Sequence, residues 1–304
     1  MSEPSLETEL DRARDLDVDA LADAIESIGF ECTRCGACCK GYETCGSANA
    51  DDTDADADSE GVDAEPRDER GDDGREAHTA TVFPDEVRRL VEAANETLVA
   101  PGDDDGNGDD DGNGDDDGNG DDDGNGDDDG NGDDDGNGDD TGDAGSEPYD
   151  WRDVARPMPY GLSEGDDGPA GETFEWALAT DDCGDCTFYR ESDGRGACTV
   201  HDARPLVCRT YPFSVALGGT SQPMGEAVDG EGMVRAHECE GLGRDISRED
   251  AEELARALKQ RAVRELEEAI GVRDNYRPTD VEGVVVHDSE GQKRPDGTPL
   301  STDP

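Results

Sequence analysis

The sequence predicts a small, irregular α+β fold that has helices at both ends, is stapled by bound metal and is interrupted by two long disordered acidic insertions. Three observations lead to this expectation. Apolar residues recur at helical spacing near both ends of the 304-residue chain, the cysteines form two separated groups, and two stretches carry almost no apolar side chains. A domain with so little apolar area needs another source of stability, and metal ligation is one.

Helices are predicted where apolar spacing coincides with end signals. Gly29 and Gly271 are natural stops for the first and last helices, since glycine accepts the backbone angles of a C-terminal cap. Pro84 suits the first turn of the middle helix, and Ser247 is a good N-cap for the last one. The predicted helices cover residues 17–29, 84–99 and 248–271.

Extended segments and one short helix are expected between these helices. Short strands are predicted at Phe174–Ala179 and Thr187–Arg190, where β-formers cluster. Asp202 is expected to cap a short helix that starts at Ala203 and carries Pro205 in its first turn.

Two acidic segments lack the side chains needed for a core. Residues 47–78 are rich in Asp, Ala and Gly, and residues 103–138 are six perfect copies of DDDGNG. The stretch 101–145 contains 21 acidic residues and no basic one. Without apolar groups to bury, such segments cannot offset the entropy lost on ordering, so both are expected to be disordered.

These features divide the chain into six parts. A single metal-binding domain is expected to be assembled from the parts that flank the insertions, and the polar end of the chain is expected to be loosely held. The parts are an N-terminal helix with the first cysteine cluster (1–46), the first insertion (47–78), a helix of the same domain (79–100), the repeat linker (101–145), the second cysteine group with the last helix (146–272) and a polar tail (273–304).

The charge of the chain limits its partners and its setting. Its 83 acidic and 26 basic residues give a net charge of −57, and no basic patch is present to neutralise phosphates, so nucleic acid is not expected as a partner. At about 1 M salt the Debye length is about 3 Å, so a halophilic, haloarchaeal-like protein tolerates such an acidic surface. No membrane span or signal peptide is seen, and we expect a cytoplasmic protein.

The first cysteine cluster has the spacing of a metal site. Cys32, Cys35, Cys38 and Cys39 lie within eight residues, and a CxxC step lets two sulfurs face one ion. Crowded cysteines in a reducing compartment are more often metal ligands than disulfides. Because neighbouring side chains diverge, we expect Cys38 and Cys39 to serve different ions, or one of them not to be a ligand.

The second cysteine group lies some 150 residues further along the chain. Arg204 and Arg209 flank Cys208, and a metal held by four thiolates is anionic, so both guanidinium groups are expected to stabilise it from behind the ligands. The alternative is that both arginines form surface ion pairs of little consequence. The group consists of Cys183, Cys186, Cys198, Cys208 and Cys239.

The chain resembles the YkgJ-type cysteine-cluster family of zinc- or iron-chelating domains, which is marked by the CxxCxxCC motif. The resemblance covers about a third of the chain. It departs from the family pattern at the extra Cys45 and Cys183, at His201 where the family more often has an aromatic residue, and at the two insertions. The matching segments are ECTRCGACCK (31–40), FPDEVRRL (83–90), CTFYRESDGRGACTVHDARPLVCRTYPF (186–213) and ECEGLG (238–243).

The resemblance implies eight metal ligands and two sites of four thiolates. Zinc and iron–sulfur clusters both suit such ligands, so the metal stays open between them. The implied ligands are Cys32, Cys35, Cys38, Cys39, Cys186, Cys198, Cys208 and Cys239. Secondary candidates, which lie near them or exceed the family set, are Cys45, Cys183, His201 and His237.

Three functions are compatible with these ligands. The first is a metal-binding protein that chelates zinc or an iron–sulfur cluster for structure, storage or delivery. The second is an iron–sulfur oxidoreductase or a methylase-like enzyme, since the family is often labelled as iron–sulfur oxidoreductases and a related domain occurs in flagellin lysine methylases. The third is a metal-stapled interaction module, with protein partners unknown. No phosphate-binding or dinucleotide-binding motif supports catalysis.

The two cysteine groups are expected to share their metal sites. Cys239 is far in sequence from any CxxC partner, and a small domain gains most when metal ties distant segments together. The alternative is two independent local sites, one in each group.

Overall fold

The computed structural model describes residues 4–41, 79–99, 147–165, 168–192, 194–222 and 226–300. The predicted insertions, 47–78 and 101–145, and also Cys45, lie outside the described residues. Six helices occur in the described ranges: α1 (Leu6–Arg14), α2 (Val18–Ile28), α3 (Pro84–Val99), α4 (Trp151–Val154), α5 (Leu206–Thr210) and α6 (Arg248–Asn275).

Twelve short strands accompany these helices in the described ranges, which makes the fold mixed α+β as predicted. They are β1 (Thr81–Val82), β2 (Ala155–Pro157), β3 (Leu162–Gly165), β4 (Gly168–Phe174), β5 (Trp176–Leu178), β6 (Tyr189–Ser192), β7 (Arg195–Cys198), β8 (Phe213–Val215), β9 (Ala227–Asp229), β10 (Val234–His237), β11 (Val284–Asp288) and β12 (Gly291–Lys293).

The strands form four small sheets. Their orders are β1-β5-β2, β8-β10-β9, β12-β11-β4-β3 and the β6-β7 hairpin. All described pairings are antiparallel except β11 with β4, which run parallel from Val284 opposite Gly171 to His287 opposite Phe174. No single sheet dominates, so the elements are held in place by packing against two separate cores.

The first core lies between the N-terminal helices and α6. Leu21 and Ile25 of α2 pack against Leu258 and Leu266 of α6, and the β8-β10 pair covers the same apolar cluster. Asp17 caps α2 through the amides of Asp19 and Ala20, and Gly29 ends it with a φ of +77°, as its sequence predicts. This core fixes the chain just ahead of the first cysteine.

The second core lies between α3 and the β1-β5-β2 sheet. Val87, Leu90 and Ala94 of α3 form its buried stripe, with Trp176 and Phe188 opposite. Pro84 is the first residue of α3, as predicted. Three of the cysteines of the second group pack in this core, together with Cys39 from the first cluster.

Several element predictions were wrong in ways that have physical causes. Asp202 does not cap a helix that starts at Ala203: a 3-10 turn covers His201–Ala203, and α5 begins after Pro205, which disfavours helical backbone at the residue before it. The predicted strand over 174–179 is broken at Glu175, which has a φ of +65°. Helix α1 was not predicted.

The C-terminal end differs most from expectation. Helix α6 continues past Gly271 to Asn275, because Gly271 is where the helix meets Ser289: a Cβ at this position would lie 2.6 Å from the Ser289 side chain. The tail that was expected to be loosely held forms β11 and β12, so the described chain has helices at its start and strands at its end.

Candidate metal centre

The first cysteine cluster occupies a loop between α2 and residue 41, and this loop is hydrogen-bonded to two distant parts of the chain. On one side, the amide of Glu31 donates to the Gly241 carbonyl (3.0 Å) and the amide of Gly243 donates to the Gly29 carbonyl (3.0 Å). Phe30 pairs with Leu242 in an isolated antiparallel bridge. The N-terminal loop is thereby tied to the segment that carries Cys239.

On its other side the loop contacts the segment that carries Cys186 and Cys198. The amide of Cys186 donates to the Cys39 carbonyl (2.7 Å), and the amide of Gly196 donates to the Arg34 carbonyl (2.7 Å). The amide of Gly41 donates to an Asp185 carboxylate oxygen (2.7 Å). Both cysteine groups therefore meet in one region of the molecule, although some 150 residues separate them in sequence.

Glycines allow these close approaches. Added Cβ atoms would lie 2.3 Å from the Glu31 carbonyl oxygen at Gly241 and 2.1 Å from the Tyr189 hydroxyl at Gly36, which also has a φ of +79°. A side chain at either position would push the segments apart. Gly36 thus begins a tight turn directly after Cys35, and the groups that pack against this turn come from elsewhere in the chain.

Four thiols belong to the second core, and we call them the inner thiols. Cys186 is buried, and Cys39, Cys198 and Cys208 are half-buried against the same apolar side chains. Burial raises the pKa of Cys186 to about 11 and holds the pKa of Cys208 well above its usual value. Buried thiols stay protonated unless a cation stabilises their thiolates.

Three thiols lie nearer the solvent, and we call them the outer thiols. Cys32 is exposed, while Cys35 and Cys239 are half-buried. Burial raises the pKa of Cys239, and the charges of Cys35, Cys38 and Cys32 act in the same direction. The outer thiols come from both cysteine groups.

Cys38 lies between the two sets. A hydrogen bond with Cys39 and burial raise its pKa, and its charge acts on inner Cys186, Cys198 and Cys208 as well as on outer Cys239. The charge of Cys38 is therefore felt by thiols of both sets.

The expected divergence of Cys38 and Cys39 is not observed. Their sulfurs are 3.8 Å apart, because residues 37–40 form a tight turn in which neighbouring side chains are not on opposite sides. Two sulfurs at about 2.3 Å from one tetrahedral ion lie about 3.8 Å apart, so this pair has the spacing of two ligands of one ion.

The donor set fits a thiophilic metal by its chemistry, but it is not pre-formed. All eight implied ligands are free cysteines, and they comprise the inner thiols, the outer thiols and Cys38. Within the described ranges, no three Cys, His, Asp or Glu side chains already converge at metal-binding geometry. Rotation of the thiol side chains would have to complete a site on binding.

The arginines flanking Cys208 differ in position. The Arg204 guanidinium donates to the His201 carbonyl (3.0 Å), and its charge lowers the pKa of Cys38 and Cys198 against the stronger effects that raise both. Arg209 is exposed on α5 and makes no hydrogen bond or ion pair with the described residues through its side chain. Of the two arginines that flank Cys208, Arg204 is the one whose charge acts on the thiols.

The secondary candidates are placed as follows. Cys183 is disulfide-bonded and therefore does not offer a free thiol. His201 is exposed, with its Nδ1 atom 3.3 Å from an Asp202 carboxylate oxygen. The Nε2 atom of buried His237 is hydrogen-bonded to Ser214 (2.9 Å).

Sequence reasoning missed Glu86, which positions the helix that carries Cys208. Its buried carboxylate accepts hydrogen bonds from the amides of Phe83 (3.2 Å) and Leu206 (2.9 Å), so it joins the start of α3 to the start of α5. An acid at the third residue of a helix is the available signal, but it cannot reveal the partner at position 206.

Comparison with known families agrees with the cysteine chemistry. The family "CxxCxxCC: Putative zinc- or iron-chelating domain" matches residues 161–240, about a quarter of the chain. The match includes all five cysteines of the second group and lies outside the 32–39 cluster. No curated protein and no solved structure gives a significant match to the chain. In the described residues, no helix is both long and apolar enough to cross a bilayer. Residues 161–240 of the chain are thus similar to a zinc- or iron-chelating domain.

Proposed function

We propose that this chain is a metal-binding protein that chelates zinc or an iron–sulfur cluster through cysteine thiolates drawn from both cysteine groups. The observation that carries the proposal is a pair of backbone contacts that hold the first cysteine loop against both segments of the second group: the Cys186 amide donates to the Cys39 carbonyl (2.7 Å), and the Glu31 amide donates to the Gly241 carbonyl (3.0 Å). Eight free thiols in one region exceed what packing requires. The match to a chelating family supports the same chemistry.

The proposed ligands are the eight free cysteines, and Arg204 is proposed to stabilise their negative charge. A zinc ion would supply a fixed tetrahedral centre, and an iron–sulfur cluster would supply electron transfer. The chain's own contribution is to bring two loops together through the hydrogen bonds at Cys39 and Gly241 and to bury the inner thiols among apolar side chains. Metal would then close the fold across the insertions.

Metal analysis of anaerobically purified full chain tests this proposal. We expect one to two metal sites per chain, occupied by zinc or by iron with acid-labile sulfide. The control is protein in which free thiols are alkylated after denaturation, which must bind none. Less than a few tenths of an equivalent of either metal in gently handled protein would refute the proposal.

A further inference from the structure

The two sets of thiols differ in how they are held. The inner thiols pack in the second core, where Cys186 is 6% exposed. The outer thiols lie on two loops at the surface, and Cys32 is exposed. A solvent-borne ligand can approach an ion held by Cys32, Cys35 and Cys239, whereas an ion held by the inner thiols is shielded by apolar side chains.

The charges beside the two sets also differ. Exposed carboxylates of Glu238 and Glu240 flank outer Cys239 in sequence, whereas the Glu31 carboxylate beside Cys32 lies 3.9 Å from the Arg244 guanidinium. Negative charge at a surface attracts an incoming cation. Inner Cys208, by contrast, lies four residues after Arg204, whose half-buried guanidinium donates to the His201 carbonyl (3.0 Å). A guanidinium group beside the inner set compensates the negative charge of bound thiolates.

We propose that the outer thiols form an exchange site, filled and emptied from solvent, while the inner thiols retain their metal. This inference rests on the proposed function and adds a role to one half of the centre. Exchange at the outer site is ligand substitution: a thiolate or nitrogen donor of the acceptor binds the ion, and each protein thiolate that leaves takes up a proton. The metal keeps its oxidation state throughout.

Release of zinc from the full chain tests the proposal. Protein reconstituted anaerobically with zinc is mixed with excess 4-(2-pyridylazo)resorcinol, and the coloured complex is followed over time. We expect two phases whose rates differ by at least about tenfold. Cys239→Ser should abolish the fast phase and keep the slow one, whereas the matched change Cys198→Ser should abolish the slow phase and keep the fast one.

A second variant keeps every thiol and so avoids the risk of misfolding. The double change Glu238→Gln and Glu240→Gln should slow zinc loading of the fast-releasing site several-fold at low salt and leave the slow-releasing site unchanged, because it removes only surface charge. Zinc binding with a single release rate, or loss of the slow phase in Cys239→Ser, would overturn the exchange site and leave the proposed function standing. A wild-type chain that binds no zinc and no iron would overturn both.

Discussion

At the scale of single residues, Gly241 controls how closely the Cys239 loop approaches the N-terminal loop. A Cβ at this position would lie 2.3 Å from the Glu31 carbonyl oxygen, which is backbone and cannot rotate away. This close approach places the Gly241 carbonyl where it accepts a hydrogen bond from the Glu31 amide. The outer thiols therefore depend on one residue that carries no chemistry of its own.

We predict that Gly241→Ala lowers the free energy of unfolding by about 1–3 kcal/mol, the usual cost of overpacking, and weakens metal retention. Gly230→Ala is the matched control, because a Cβ there would meet only the Ala227 Cβ at 4.0 Å. Denaturant unfolding and metal analysis of both variants check this prediction. Equal stability and metal content in the two variants would contradict it.

The sequence revealed the cysteines of this region but not the residues that bring them together. CxxC spacing is local, so Cys32 to Cys39 could be identified from their own segment. The partners of Gly36 and Gly241 lie some 150 to 210 residues away in sequence. A glycine in the sequence shows that a side chain is missing, but it does not show which distant residue packs against that position.

At the scale of elements, the pairing of β11 with β4 buries a histidine. His287 is 1% exposed and stacks against Phe174 (ring centroids 5.4 Å apart), and Tyr276 contacts both rings, at 4.8 Å from His287 and 5.9 Å from Phe174. Neither ring nitrogen has a hydrogen-bond partner among the described residues, and the nearest carboxylate oxygen, on Glu172, is 3.8 Å from Nε2. Burial lowers the pKa of His287, and the charges of Glu172 and Asp288 oppose this more weakly.

A histidine whose pKa is lower in the folded state destabilises the fold as it becomes protonated. Its effect is absent well above the unfolded pKa of about 6.5 and grows as pH falls below it, by at most about 1.4 kcal/mol per pH unit. We predict that wild type loses stability relative to His287→Phe between about pH 7 and pH 5.

Comparing wild type with His287→Phe cancels the contribution of the buried carboxyl groups to the pH dependence of stability. Their raised pKa values make the fold more stable as pH falls, which is opposite to the effect of the histidine. Among these carboxyl groups is Glu175, whose pKa burial raises to about 7. Denaturant unfolding at several pH values measures the difference. A difference between wild type and His287→Phe that does not vary with pH would count against the neutral, buried histidine.

Helix starts were easier to predict from the sequence than the ends of elements. Ser247 accepts a hydrogen bond from the Asp250 amide, and Pro84 opens α3, because both are local signals. Gly271 is a typical stop signal, yet its missing side chain accommodates Ser289. The strand at 284–288 was missed because its partner, β4, precedes it by more than 100 residues.

At the scale of the whole molecule, the ends of the repeat-bearing segment are already joined by the fold. The Asn95 side chain of α3 donates to the Tyr149 carbonyl (3.0 Å) and accepts from the Tyr149 amide (2.7 Å). The chain therefore leaves and re-enters the domain at neighbouring points. A short linker can replace what lies between residues 99 and 147.

We predict that replacing 101–145 by about eight Gly and Ser residues leaves metal content and helical signal unchanged, because this segment, apart from Pro101, has no apolar side chain larger than alanine to contribute to a core. Metal analysis and circular dichroism in molar salt check the result. A second variant, in which the Gly and Ser linker is twice as long, is the control for linker length. A loss of metal or of helical signal in both variants would show that the repeat is part of the fold.

If the two cysteine groups share their metal, the bound metal ties the 31–41 loop to the segments that carry Cys186 to Cys239. The backbone hydrogen bonds at Cys39 and Gly241 position these loops, and metal ligated from both groups would hold them together. Loss of an inner thiol should therefore loosen a segment far away in sequence.

Hydrogen exchange at residues 31–41 in metal-loaded protein tests this claim most directly. We predict that Cys208→Ser speeds exchange there by about tenfold or more, while Val207→Ala, its neighbour on α5, leaves exchange close to wild type. If residues 31–41 exchange at the same rate in Cys208→Ser and in wild type, metal held by Cys208 does not tie this loop to the second group and the shared centre is wrong.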